Sequence, residues 1–156
     1  MNQVKTRISH TTVSKISSLI VLGLAVLGLV FLIFKSYLFA AHPVGIIVQI
    51  SAAGLMIWAR ITFGIRSFHA MANTTKGRLV TNGPYRWLRH PIYAAIIYFV
   101  WAGVLSSPFA DAIAAAVLIS VSLIARMLLE EKFLRMVYGE YSEYSRHAKL
   151  LIPFIF

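Results

Sequence analysis

The sequence predicts an all-α, polytopic integral membrane protein with about four transmembrane helices, a C-terminal helical hairpin and an amphipathic tail. Three observations carry that expectation. The chain of 156 residues is 59% hydrophobic and only 13% charged, whereas a soluble domain is about half apolar and about a quarter charged. Its apolar residues fall into long runs bounded by charged residues or Pro, and about 20 such residues cross a bilayer as a helix. Lys and Arg number 15 against 5 Asp and Glu, and they gather between the runs, as flanking charges of membrane spans do.

Composition also excludes. With no cysteine, disulfide, zinc-thiolate and cysteine-nucleophile readings are closed. The net charge of +10 is explained by membrane-flanking cations, so no nucleic-acid partner is expected. The length allows one domain, 1–156, since a separate soluble domain usually needs about 100 residues.

Residues 1–15 read as a polar N-terminal tail carrying Lys5, Arg7 and Lys15. The first span, 16–34, is closed by Lys35. It lacks a small-residue cleavage site and is long enough to be retained as a helix rather than removed as a signal. Ser36 to Pro43 forms a turn. The second span, 44–63, holds Gln49, Ser51 and Gly54; small and polar residues at such depth mark helix–helix contact. Arg60, near its end, can snorkel to the interface.

Gly64 to Arg89 is a long polar connection. It ends in the densest stretch of the chain, Leu79 to Tyr93, where charge, aromatics, Gly and Pro crowd together. Asn82-Gly83-Pro84 signals a turn. Pro91 suits the first turn of a helix, where its missing N–H costs nothing. A helix start beside Arg89 and His90 is a seat for an anion. The third span, 91–107, is short. Ser106-Ser107-Pro108 turns the chain into the fourth, 109–129, and the two spans form a hairpin. That hairpin brings His90 and Tyr93 near Arg126, Glu130 and Glu131. Residues 130–156 read as an interfacial tail in which Tyr138, Tyr141 and Tyr144 anchor an amphipathic segment.

Four spans place both termini and the 64–89 connection on one side. That side holds every Lys and Arg except Lys35, so it is expected to be cytoplasmic. Arg126 and Glu130 are four residues apart on one helix face. Taken singly, they are an ion pair that ends a span, His90 is a cap, and the tyrosines form an aromatic belt. Taken together, two helix ends, a loop and a tail set polar groups at one depth. The residues thus describe a polar pocket under an apolar roof, suited to a ligand with an anionic end and a lipid-like partner.

Gly77-Arg78-Leu79-Val80-Thr81-Asn82-Gly83-Pro84-Tyr85, Arg89-His90-Pro91-Ile92-Tyr93, Arg126-Met127-Leu128-Leu129-Glu130-Glu131, Tyr138-Gly139-Glu140-Tyr141-Ser142-Glu143-Tyr144 and Ile152-Pro153 resemble, in this order, the isoprenylcysteine carboxyl methyltransferase family, whose wider group includes phospholipid N-methyltransferases. The resemblance runs from about Arg60 to Pro153. It implies methyl transfer from S-adenosyl-L-methionine at the membrane to a lipophilic substrate entering from the bilayer. By motif match, Gly77, Arg78, Leu79, Val80 and Tyr85 would wall the adenosine part of the cofactor. His90, Pro91, Ile92 and Tyr93 would hold its methionine part, Glu130 would be a further cofactor ligand, and Arg126 would orient the substrate; with an amine acceptor, Glu130 or Glu131 would also help remove its proton. Ala95 stands where the family often has Gly, and Arg146-His147-Ala148-Lys149 departs from its commoner tail. No metal is implied. Prenylcysteine carboxylate, phospholipid amine, thiol and small lipophilic acid remain open as acceptors. Two other classes compete: an NADPH-dependent membrane reductase of the steroid-reductase type, which would need an Arg clamp for the 2′-phosphate, and a non-catalytic membrane assembly factor.

Overall fold

A computed structural model describes residues 2–64 and 79–152, with side chains from Ile16 onward. Five helices follow one another: α1 (Asn2–Phe34), α2 (Pro43–Phe63), α3 (Pro91–Ser106), α4 (Ala110–Val137) and α5 (Tyr141–His147), with a 3-10 turn at Gly83–Arg86 before α3. Among the described residues there is no strand, only an isolated parallel bridge between Leu88 and Lys149. The protein is all-α, as its hydropathy predicts.

Two boundaries differ from expectation. The expected N-terminal tail is helical, since α1 starts at Asn2. No Gly or Pro interrupts the chain before Gly23, so nothing stops the apolar helix from propagating backwards. Helix α4 runs beyond the expected end at Leu129 to Val137. Its extension, Glu130-Glu131-Lys132-Phe133-Leu134-Arg135, is rich in strong helix formers. Charge ends a membrane span without ending the helix. Glu130 and Glu131 therefore sit on a rigid rod rather than at the start of a tail.

Helix α2 packs on α3, α3 on α4 and α4 on α1, so α3 and α4 occupy the middle of the bundle. Leu32, Val100, Val104, Ala116, Ile119 and Leu123 form the core between α1, α3 and α4. The outer faces remain apolar: Leu27, Ile50, Ile57, Ile61 and Val121 are all exposed. A soluble monomer rarely shows contiguous apolar patches above a few hundred Å². Residues 16–34 of α1, all of α2 and all of α4 are long and apolar enough to cross a membrane, while the 16-residue α3 is apolar but shorter. The chain is an integral membrane protein.

One end of the bundle is closed without buried charge. Helix α1 stops at Ser36, whose φ of 58° is left-handed. There Ser36 N–H donates to Ile33 O and Tyr37 N–H to Leu32 O, at 3.0 and 2.9 Å, the paired bonds of a Schellman stop. Buried Gln49 then ties the connection down. Its Nε2 donates to Leu38 O at 2.7 Å and to Phe99 O at 3.0 Å, and its Oε1 accepts from Ala40 N–H at 3.0 Å. Of the three residues expected at helix contacts, Gln49 is one. Ser51 bonds back to Ile47 O instead, and Gly54 faces open space. Gly103 supplies the close approach: a Cβ there would lie 2.0 Å from Leu38 O.

Candidate functional site

The other end is built by the loop before α3, the start of α3, the far part of α4, and α5 with the segment after it. Gly83, at φ 57°, starts the 3-10 turn, and a Cβ there would meet the Thr62 side chain at 2.6 Å. The turn seats Tyr85 against Phe63, ring centroids 5.5 Å apart. The chain then enters α3 at Pro91, which is fully buried. The 3.6-residue repeat sets His90 and Tyr93 on one side of the helix start, stacked 5.7 Å apart. They face α4, because the short α3–α4 turn makes the helices antiparallel neighbours.

Two linked networks result. In the first, Arg126 Nε donates to the Tyr93 hydroxyl at 2.8 Å, and that hydroxyl donates to Glu130 Oε1 at 2.5 Å. Arg126 Nε also lies 3.3 Å from Glu130 Oε1, and its NH1 donates to Ser18 O on α1 at 3.2 Å. In the second, Glu131 is the centre. Its Oε1 faces His90 Nε2 at 2.9 Å and accepts from the Tyr141 hydroxyl. Its Oε2 accepts from Arg89 NH1 and lies 3.7 Å from Arg135 NH2. The networks meet at His90, whose Nδ1 lies 3.8 Å from Glu130 Oε2. Arg126, His90 and Glu131 are buried; the Glu130 side chain keeps 22% of its exposure.

The tail is not a free interfacial anchor. Lys149 N–H donates to Trp87 O at 2.9 Å, Arg89 N–H to Lys149 O at 2.7 Å and His90 N–H to Leu150 O at 3.3 Å. Tyr98 OH donates to Leu151 O at 2.6 Å and Tyr144 OH to Tyr85 O at 2.7 Å. Tyr141 is 1% exposed. Burial raises the hydroxyl pKa of Tyr85, Tyr141 and Tyr144 well above the usual tyrosine value. For Tyr141, the hydrogen bond to Glu131 and its charge add to the rise. These hydroxyls therefore stay neutral.

The sequence-predicted residues fall into three groups. His90, Tyr93, Arg126 and Glu130 come together. Leu79 lines an open groove of about 460 Å³, shared with Thr81, Arg86, Glu140, Glu143, Tyr144 and His147; Val80 and Ile92 are half-buried nearby in sequence, and Tyr85 is buried beneath Tyr144. Gly77 and Arg78 lie outside the described residues, as does Pro153. Sequence reasoning placed Glu131 near the site only as an alternative base, read Tyr141 as an interfacial anchor, and took Arg89 for an anion seat. The anion on Arg89 is the chain's own Glu131. Arg89 Nε, also buried, has no hydrogen-bond partner among the described residues. Two adjacent glutamates at the inner end of a span were the available signal.

Among the described residues the buried ionisable groups converge at this end of the bundle, and because such groups are costly in a membrane this end is the candidate site. The comparisons say which kind. Residues 40–141 match the family model described as phospholipid methyltransferase. Two probable protein-S-isoprenylcysteine O-methyltransferases, from Oryza sativa subspecies indica and japonica, are each 31% identical over 136 residues, covering 82% of this chain and 69% of theirs. No solved structure matches. The chain belongs to the phospholipid methyltransferase family, on its isoprenylcysteine methyltransferase-like side, and is a membrane methyltransferase acting on a lipophilic substrate.

Proposed function

We propose that the chain transfers a methyl group from S-adenosyl-L-methionine to a lipophilic acceptor, the carboxylate of an isoprenylcysteine-like compound, in one domain whose α3 completes four membrane crossings. The observation that carries this reading is the convergence of His90, Tyr93, Arg126 and Glu130 where α3 starts and α4 leaves the apolar layer. The donor set fits the cofactor. The part-exposed Glu130 carboxylate suits an ammonium group, and Arg89 Nε, which has no hydrogen-bond partner among the described residues, is a donor left over for a carboxylate. Leu79, Val80, Tyr85, Pro91 and Ile92 add apolar wall. When bound, S-adenosylmethionine supplies an electrophilic methyl group on a sulfonium.

The chain's own groups then position and exclude water. A carboxylate acceptor is already nucleophilic and needs no general base, so orientation in a dry pocket supplies most of the rate. Arg126 pairs with that carboxylate and aims it. A phospholipid amine is the second acceptor, favoured by the family model's own description; it would need a proton removed, for which Glu130 or Glu131 would serve as base. The site and both termini would then lie on the cytoplasmic side, since a four-span path assigns every Lys and Arg of the sequence except Lys35 to that side.

Ligand linkage tests the cofactor. At a hundred times its dissociation constant, S-adenosylhomocysteine should stabilise the purified protein by about 2.7 kcal/mol. Protection by NADPH and not by S-adenosylhomocysteine would refute the reading. For sidedness, a cysteine introduced at Ser142 should react with an impermeant reagent from the cytoplasm and one at Ser107 from the opposite face. Labelling of both from one face would remove the hairpin.

A further inference from the structure

We infer that Tyr141, on the tail helix α5, is a positioning residue that sets the His90 ring by way of Glu131. The inference rests on the site proposed above and goes beyond it. Glu131 Oε1 has two neighbours, the Tyr141 hydroxyl and His90 Nε2 at 2.9 Å. Its Oε2 faces Arg89 and, at 3.7 Å, Arg135. A carboxylate on a side chain with three rotatable bonds is not oriented by its own backbone. Here the donors on each oxygen fix its plane: Tyr141 holds Oε1 toward His90 while Arg89 holds Oε2 away. With Nε2 committed to Glu131, the opposite ring nitrogen, Nδ1, is presented toward Glu130 Oε2, 3.8 Å away. The orientation of Glu131 thus decides which ring atom of His90 faces the Glu130 carboxylate.

Tyr141 is suited to the task. It is 1% exposed, its ring packs edge-on against Tyr144 at 5.7 Å and the Arg135 guanidinium lies 6.0 Å from its centroid. The ring is therefore fixed before the hydroxyl bonds. Backbone pairing of residues 149 and 150 with residues 87, 89 and 90 holds the segment after α5 against the loop. A plain structural role would make Tyr141 one of several hydroxyls that tie the tail down. Tyr98 is the matching case: its hydroxyl donates to a backbone carbonyl, Leu151 O, at 2.6 Å.

The two tyrosines give the test. Full-length protein labelled with 15N-histidine in detergent reports each imidazole, and the His90 signal is assigned by its loss in His90→Asn. In Tyr141→Phe the His90 Nε2 resonance should move, and in Tyr98→Phe it should stay. Affinity for S-adenosylhomocysteine should fall about fivefold in Tyr141→Phe, a part of the worth of the charge-assisted bond that orients Glu131, and hold in Tyr98→Phe. Glu131→Gln, approached from the other partner, should move the same resonance. An unmoved His90 signal in Tyr141→Phe, or equal movement in both tyrosine variants, overturns the inference. Wild-type protein that ignores S-adenosylhomocysteine would overturn the cofactor reading alone, since the resonance still decides the role of Tyr141.

Discussion

Where α1 turns into α2 and α3 turns into α4, the bundle is closed by backbone bonds, one neutral amide and one glycine. At the other end, where α3 starts and α4 leaves the apolar layer, glutamates, arginines, a histidine and tyrosine hydroxyls do the joining. The first end contains a charge pair, Lys35–Asp111, but it is loose at 3.8 Å and about half exposed on both sides. Such pairs contribute about 0–1 kcal/mol. At the second end His90, Arg126 and Glu131 are buried, and burying charge is repaid only when geometry is good and every remaining group is bonded. Neutral closure is the cheaper way to end a helical bundle. That the second end uses charge instead is what makes it the candidate site.

The comparison breaks most easily at Gly103. If the first end is the structural one, adding a methyl group there should damage the fold and nothing else. The new Cβ of Gly103→Ala would stand 2.0 Å from Leu38 O and 2.6 Å from its carbonyl carbon. These are backbone atoms already held by Gln49, so they cannot rotate away. Ala gains about 1 kcal/mol of helix propensity over Gly. The overpacking should outweigh it, for a net loss of about 3 kcal/mol, the upper part of the usual range. Thermal unfolding should show the loss, while affinity for S-adenosylhomocysteine in the folded fraction stays at the wild-type value. Unchanged stability would mean that the α1–α2 connection is free to shift and the first end is not a fixed frame.

The two ends were not equally legible in the sequence. Long apolar runs gave the helices, because hydropathy over about 20 residues is a strong signal. The hairpin followed from a turn too short to do anything else, and it correctly placed His90 and Tyr93 against Arg126 and Glu130. Boundaries were read less well, since Glu130 and Glu131 mark where apolarity stops but are themselves good helix formers. Gln49 stood out as a polar residue in a span, yet its three bonds depend on the path of residues 38–40, which no local pattern encodes. Tyr141 was hidden for a related reason. A tyrosine among charges reads as an interfacial anchor, and only the pairing of residue 149 with residues 87 and 89 brings it inward. Contacts carried by a tail returning across the chain have no sequence period to reveal them.

Glu130 sharpens the comparison by the smallest step, a single charge removed at nearly constant shape. Glu130→Gln keeps an oxygen to accept from Tyr93, which now donates to it at 2.5 Å. Its partner at the structural end is Asp111→Asn, which removes the charge facing Lys35. If both carboxylates were only halves of ion pairs, the two variants should behave alike, with stability changed by about 0–1 kcal/mol and activity following it. The site reading separates them. Asp111→Asn should leave cofactor affinity and turnover untouched. Glu130→Gln should hold its unfolding temperature, because Arg126 still has Tyr93 and the Ser18 carbonyl as acceptors at 2.8 and 3.2 Å. Its affinity for S-adenosylhomocysteine should nonetheless fall about tenfold to a hundredfold, as expected when a charge-assisted hydrogen bond of roughly 1.5–3 kcal/mol is lost. Calorimetric titration of the two variants side by side makes the measurement. Equal affinities would return Glu130 to the same standing as Asp111, a charge that ends a span, and would move the cofactor away from the start of α3.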